Sequence, residues 1–178
     1  ISEIKRTTRL ISIMFVNNEL GTINPIHEIS SITDTHGILL HSDAVQALGK
    51  IPINLQEMPI DFLSMSAHKL YGPKGCGALF KRKGLSLKPL ISGGGQESNL
   101  RASTENISGI GGFGMAADLA TKNLIENSSY IKELETYFIA ELNNNNINYK
   151  INGTNRVPGV FNVTFPEIDG KSLIMQLD

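Results

Sequence analysis

Lys69, Asp43, Ser66 and His68 each stand just after a short apolar run, where a sheet could deliver them to a common edge. An amine such as that of Lys69 can hold an aldehyde as an imine, and a carboxylate such as that of Asp43 can keep a pyridine nitrogen protonated. Ser66 and His68, followed by the glycine-rich turn Gly72-Pro73-Lys74-Gly75, supply donors suited to a phosphate. These are the groups that a phosphorylated pyridine aldehyde requires of a protein. Each type also has an ordinary role: a lysine is usually a solvated surface residue, an aspartate ahead of Ala44-Val45-Gln46 can cap a helix, and a histidine can serve backbone structure.

The elements that must position these groups are readable from the pattern. Residues 10–16 form an apolar, β-branched run ending at Asn17-Asn18-Glu19, the pattern of a buried strand. Pro25 opens a helix with Ile26, Ile29 and Ile32 on one face, stopped by His36-Gly37. Further strands are expected at residues 38–41, 60–65 and 77–81, with a helical segment at 44–48 closed by Gly49. Alternation of this kind specifies a largely parallel α/β sheet, which binds ligands at the carboxyl ends of its strands. Beyond it the pattern gives a loop over residues 85–104, helices over 107–124 and 130–142, an Asn-rich break at 143–146, a strand over 160–165 and a terminal helix from Lys171. The domain boundary is expected near Asn127, dividing the chain into residues 1–126 and the start of a smaller α+β unit, 127–178.

Bulk properties narrow the partners. With 40% hydrophobic and 19% charged residues the 178-residue chain has a globular composition. Sixteen basic residues balance seventeen acidic ones, so no field draws it to nucleic acid or an anionic membrane. A single cysteine, Cys76, permits no intrachain disulfide and suits a reducing compartment, and no apolar run approaches a membrane span, so a cytoplasmic protein is expected. His27, His36 and His41 lack metal-ligand spacing, and no metal site is expected. The non-methionine start at Ile1 and a final helix of about two turns indicate part of a longer protein.

Four segments carry a closer resemblance. They are Val16-Asn17-Asn18-Glu19-Leu20-Gly21, His41-Ser42-Asp43-Ala44-Val45-Gln46, Ser66-Ala67-His68-Lys69-Leu70-Tyr71-Gly72-Pro73-Lys74-Gly75, and Gly93-Gly94-Gly95-Gln96-Glu97 through Arg101-Ala102-Ser103-Thr104-Glu105-Asn106. In order and spacing the chain resembles the cysteine desulfurases, class V aminotransferase-like enzymes of fold type I that use pyridoxal 5'-phosphate (PLP). The resemblance continues through Phe161-Asn162-Val163 and Gly170-Lys171-Ser172-Leu173. It implies an α/β segment of the large PLP-binding domain followed by the beginning of a small α+β C-terminal domain.

Carried over residue by residue, the resemblance implies that Lys69 forms the Schiff base and Asp43 pairs with the pyridinium nitrogen. Gln46 and Asn18 match positions near the ring-face oxygen, Ser66 and His68 match phosphate ligands, and Thr104 matches a threonine that reaches the cofactor of a neighbouring subunit, implying a homodimer. Gln46 and Asn18 could instead be turn or cap residues, Ser66 and Thr104 local backbone binders, and residues 93–95 a flexible connector. Ser103 stands where the family has glycine. The family's phosphate-binding threonine, its stacking histidine and its nucleophilic cysteine have no counterpart in these residues, and Cys76, between two glycines beside a strand, reads as a packing residue.

The implied activity is removal of sulfur from L-cysteine for transfer to an acceptor such as an iron–sulfur scaffold or tRNA-modifying partner, with this chain an incomplete and inactive portion. The alternatives are a selenocysteine lyase or another class V enzyme, since residues that hold a cofactor do not choose its substrate, and a non-catalytic scaffold or dimerisation fragment.

Overall fold

Short β-branched runs closed by polar residues make strands too brief to stand alone, so they find stability as neighbours in one sheet. The computed structural model describes residues 2–177 and assembles four of them: β1 (Leu10–Met14), β2 (Leu39–Asp43), β3 (Phe62–Ser66) and β4 (Gly77–Lys81), in spatial order β1-β2-β3-β4. The first three run parallel, and β4 returns antiparallel to β3. Helix α1 (Ile26–Thr35) makes the crossover from β1 to β2.

Its buried positions are Ile26, Ser30 and Thr33, with Ile29 and Ile32 only half-buried. The two buried hydroxyls are satisfied within the helix, Ser30 Oγ donating to the His27 carbonyl at 2.8 Å and Thr33 Oγ1 to that of Ser30 at 2.9 Å. The expected apolar face is therefore rotated toward two small polar residues that pack tightly at little cost.

The helix expected at residues 44–48 is instead a pair of tight turns. Leu48 N–H reaches the Ala44 carbonyl at 3.0 Å, but Ala47 and Lys50 make the shorter-span bonds to Ala44 and Ala47. Gly49 at φ 73° stops propagation after one turn. Asp61 helps brace the sheet: its Oδ2 accepts the Leu40 N–H at 2.8 Å, and its other oxygen pairs with Arg82 at 3.4 Å.

The loop expected after β4 holds one short turn, α2 (Gln96–Asn99), in which Glu97 (φ 48°), Ser98 (φ 55°) and Asn99 (φ 64°) take left-handed backbone conformations rather than those of a regular helix. Helices α3 (Ile107–Lys122) and α4 (Leu124–Asn144) then follow each other directly, Asn123 capping both. The second helix thus begins six residues before the expected Tyr130, and Asn127 lies inside it. Asn127-Ser128-Ser129 looks like a break in sequence, but Asn127 N–H bonds to the Asn123 carbonyl at 2.9 Å and Ser128 Oγ donates to the Lys50 carbonyl at 3.3 Å. The unit that follows holds a strand absent from the sequence reading, β5 (Lys150–Asn152), antiparallel to β6 (Asn162–Thr164), and then α5 (Gly170–Leu177).

The main core gathers Phe15, Val16, Ile26, Leu40, Ala44, Ala47, Ile60 and Leu63 around the sheet, and Val157 joins them from the far end of the chain. Val157 N–H donates to the Gly21 carbonyl at 2.8 Å, and Ile23 N–H to that of Asn155 at 2.9 Å. Glycine is required at this junction: at Gly21 (φ 72°) an added Cβ would lie 2.8 Å from the Val160 carbonyl oxygen. No helix among the described residues is long and apolar enough to cross a membrane.

Candidate functional site

Parallel pairing of β2 with β3 brings the two groups singled out in sequence to one edge. Asp43, the last residue of β2, is the register partner of Ser64, two residues ahead of Ser66. β3 then runs straight into a 3₁₀ turn, Ala67–Leu70, that carries His68 and Lys69. Asp43, His68 and Lys69 are solvent-exposed, while Ala67 and Leu70, which flank the His68-Lys69 pair, are buried anchors.

The turn is held from several sides. Ala67 N–H donates to the Cys76 carbonyl and Gly72 N–H to the Ala67 carbonyl, each at 3.0 Å. Ala67, Leu70 and Cys76 pack with Phe113 and Ala116 of α3. Close approach depends on Gly112, where a Cβ would sit 2.5 Å from Pro73 Cγ. Among the glycines early in α3, Gly112 thus has a packing reason. Cys76 is a buried free thiol in this cluster, a packing residue as its sequence context implied.

Asp43 Oδ1 accepts the Val45 N–H at 2.9 Å, closing an Asx turn. The helix it could cap is replaced by tight turns, but the carboxylate still serves the local backbone through one oxygen, leaving the other for a ligand. Ser66 Oγ and His68 Nδ1 share a hydrogen bond of 2.7 Å, pairing the two residues assigned to phosphate. His41 lies between Ser12 Oγ (2.7 Å from Nδ1) and Ser64 Oγ (2.6 Å from Nε2), tying β1, β2 and β3 together behind Asp43.

Asn18 is exposed in the loop after β1, and the turn there is organised by its neighbour Asn17, whose Oδ1 accepts the N–H groups of Glu19 at 3.0 Å and Leu20 at 2.8 Å. Thr104 is also exposed, between α2 and α3, and shares no hydrogen bond with the Asp43–Lys69 group. Ser103 beside it has φ 94°, the left-handed region that glycine would occupy freely, and receives a hydrogen bond from Arg101 Nη1.

One residue of the site was not singled out by sequence. Lys50 Nζ donates to Gln46 Oε1 at 2.7 Å. Burial, and then the positive charge of Lys69, hold the Lys50 ammonium below the usual lysine range. The spacing of four between Gln46 and Lys50 is the sequence signal that could have found it.

The donor set can be tested against PLP on this geometry. An exposed amine, a carboxylate with one oxygen uncommitted, a paired hydroxyl and imidazole, and an oriented amide stand at the carboxyl ends of two adjacent parallel strands. That is the set the cofactor's aldehyde, ring nitrogen, phosphate and ring oxygen require, so the residues fit. Two clefts of about 550 Å³ and 510 Å³ lie beside α4, and neither is lined by Asp43 or Lys69, because the candidate site is an open sheet edge.

The family model for class V aminotransferases matches residues 1–178. The chain is 47% identical over 177 residues to a cysteine desulfurase IscS of Dictyoglomus turgidum, covering 98% of this chain and 45% of that protein. Among solved structures, a NifS-like protein superposes with a TM-score of 0.91 at 39% identity, covering 97% of this chain and 48% of the other. A NifS-like protein from Rickettsia africae superposes with a TM-score of 0.89 at 36% identity, covering 98% and 49%. The chain spans about 45% of the length of the curated relative it matches.

Proposed function

Because the chain belongs to the class V aminotransferase family, whose cofactor is PLP, we propose that the whole protein is a cysteine desulfurase and that this chain carries most of its cofactor site. Sulfur leaves L-cysteine as its C–S bond breaks and an S–S bond forms to a thiolate of the protein. The products are alanine and a protein persulfide, which passes to an acceptor such as an iron–sulfur scaffold protein. The observation that carries the reading is the juxtaposition of Asp43, ending β2, with Ser66, His68 and Lys69, ending β3.

When bound, PLP supplies an electron sink for the pair of electrons left when a substrate proton is removed. The chain's residues do the rest. Lys69 holds the aldehyde covalently and, with its amine free, takes and returns the α-proton. Asp43 keeps the ring nitrogen protonated through its uncommitted oxygen. Ser66 and His68 donate to the phosphate, and Gln46 and Asn18 approach the ring oxygen. Thr104 serves a second subunit's cofactor, so the protein works as a homodimer. Its exposure and its lack of any bond to the local group are consistent with that reading. Residues 1–126 bear the cofactor and residues 127–178 begin the second unit. A reducing compartment, the cytoplasm, suits the unpaired, buried Cys76.

The test is borohydride reduction of the PLP-loaded whole protein followed by peptide mapping, together with alanine release from L-cysteine. A pyridoxyl group on Lys69 and stoichiometric alanine are expected. Label on another lysine would remove the site assignment, and turnover of selenocysteine alone would replace the substrate.

A further inference from the structure

We propose that Lys50 is a positioning residue for the cofactor: it grips the Gln46 side-chain amide by its oxygen, so that the amide presents its NH2 edge to the ring oxygen of PLP. The inference rests on the assignment of Gln46 to that oxygen, and adds a residue outside the motif groups.

An ammonium has three donors and no acceptor, so a lysine 2.7 Å from the amide must face Oε1. This removes the twofold ambiguity of a glutamine amide, which would otherwise turn either edge to a ligand. The edge left over carries two N–H donors, the complement of a phenolic oxygen that bears negative charge.

Lys50 is well mounted for the task. Its N–H bonds to the Ala47 carbonyl at 3.0 Å, and its carbonyl receives Ser128 Oγ of α4 at 3.3 Å. Gly49 ahead of it is clamped, since a Cβ there would meet Leu70 Cδ2 at 2.5 Å and Ala120 Cβ at 2.9 Å. The backbone under both Gln46 and Lys50 is thereby fixed to the same turn and helix that carry Lys69.

Stability alone does not account for the arrangement. A half-buried ammonium is normally matched with a carboxylate, yet among the described residues the only side-chain partner of Lys50 is the uncharged Gln46. Lys69 on the 3₁₀ turn acts on it by like charge, and Lys132 of α4 and Arg156 line the same cleft. Burial and Lys69 both push the Lys50 ammonium toward losing its proton.

The experiment uses the PLP-loaded whole protein in five forms: wild type, Lys50→Met, Lys50→Arg, Gln46→Leu and the Gln46→Leu/Lys50→Met double variant. The readouts are the pH titration of the visible absorption band of the Lys69-bound cofactor, the PLP dissociation constant and the melting temperature. Donation to the ring oxygen favours its anionic form, so Lys50→Met is expected to raise the titration midpoint by about one unit. It should also weaken PLP binding about tenfold while leaving the melting temperature at or above wild type. Lys50→Arg, which keeps a donor, restores both cofactor readouts. In the Gln46→Leu background the Lys50→Met change has no further effect. A Lys50→Met shift that persists undiminished without Gln46 would show a field effect and overturn the inference. Wild-type titration and affinity in Lys50→Met, or a melting temperature that falls with the affinity, would overturn it too, while leaving the Lys69 assignment standing. A wild-type protein that forms no Lys69-bound band would remove the site reading and this inference with it.

Discussion

Ser103 occupies φ 94° where a glycine would bear no penalty, and among the described residues its hydroxyl is engaged by the Arg101 guanidinium alone. Ser103→Gly should therefore stabilise the chain by about 1 kcal/mol, measured as a higher denaturant midpoint at unchanged slope. The gain is reduced by the extra backbone freedom glycine brings to the unfolded state. Asp43 separates two roles that sequence alone could not. Its Oδ1 accepts the Val45 N–H, and an asparagine oxygen can do the same, so Asp43→Asn should change stability by less than about 0.5 kcal/mol. The variant cannot hold the ring nitrogen protonated, and α-proton removal in the PLP-bound whole protein should slow by about 100-fold or more. Unchanged exchange of the substrate α-proton into deuterated solvent would return Asp43 to a purely capping role.

Among the elements, α3 matters because it is the surface on which the Lys69 turn rests. Gly112→Ala would ordinarily add about 1 kcal/mol of helix propensity. Here the new methyl would lie 2.5 Å from Pro73 Cγ, against a ring that cannot swing away. The expected result is net destabilisation by about 1–3 kcal/mol, with weaker PLP binding in the whole protein because the 67–73 turn is displaced. Gly111→Ala, where a Cβ meets nothing within 4 Å, is the control and should be neutral or stabilising. The last helix, α5, carries a pH dependence of its own. Asp169 accepts from Ser172 N–H and Ser172 Oγ, each at 3.0 Å, and these bonds hold its carboxyl below the ordinary aspartate range. A carboxyl with a depressed folded pKa binds its proton less readily than in the unfolded chain. Its capping contribution is therefore fully present above the ordinary aspartate range and is lost as pH falls through the folded value. Backbone chemical shifts of residues 170–177 should lose helical character on acidification through that window, and Asp169→Ala should abolish the dependence.

On the scale of the molecule, the two ends of the chain are fastened through residues 21–23 and 155–157, and Val157 is buried in the main core. Arg156 reinforces this junction by pairing with Glu135 of α4 and lying 5.0 Å above the Phe161 ring. The same molecule exposes large apolar side chains on β1, α3 and α4, among them Leu10, Ile107, Met115 and Ile125. Such a surface asks for further covering, and these residues expressed alone should be marginal or prone to aggregate. Desulfuration needs a thiolate able to approach the substrate sulfur, whereas Cys76 is buried against Ala67, Leu70 and Phe113. A single-turnover assay of the isolated chain with PLP and L-cysteine should give neither alanine nor protein persulfide, and Cys76→Ser should behave identically. Alanine formation that requires Cys76 would make it the nucleophile.

Sequence by itself determined the four strands of the main sheet, α1 and the identity of the chemical groups. Apolar periodicity, Pro25, Gly37 and the motif around Lys69 are local features, and β4 occupies the run read for it, Gly77–Lys81. Tertiary structure decided whatever depends on partners distant in the chain. It turned 44–50 into tight turns clamped beneath Leu70 and Ala120, and joined Asn127-Ser128-Ser129 to α4 through the contact with Lys50. It also supported the three-residue β5, too short to signal itself, by pairing with β6. For Lys50, sequence shows only a lysine one turn beyond Gln46. Its bond to the Gln46 amide is local to the 44–50 turns, but that it lies half-buried beside Lys69 follows from the parallel pairing of β2 with β3, which brings the two strand ends, and the two lysines that follow them, into one electrostatic neighbourhood.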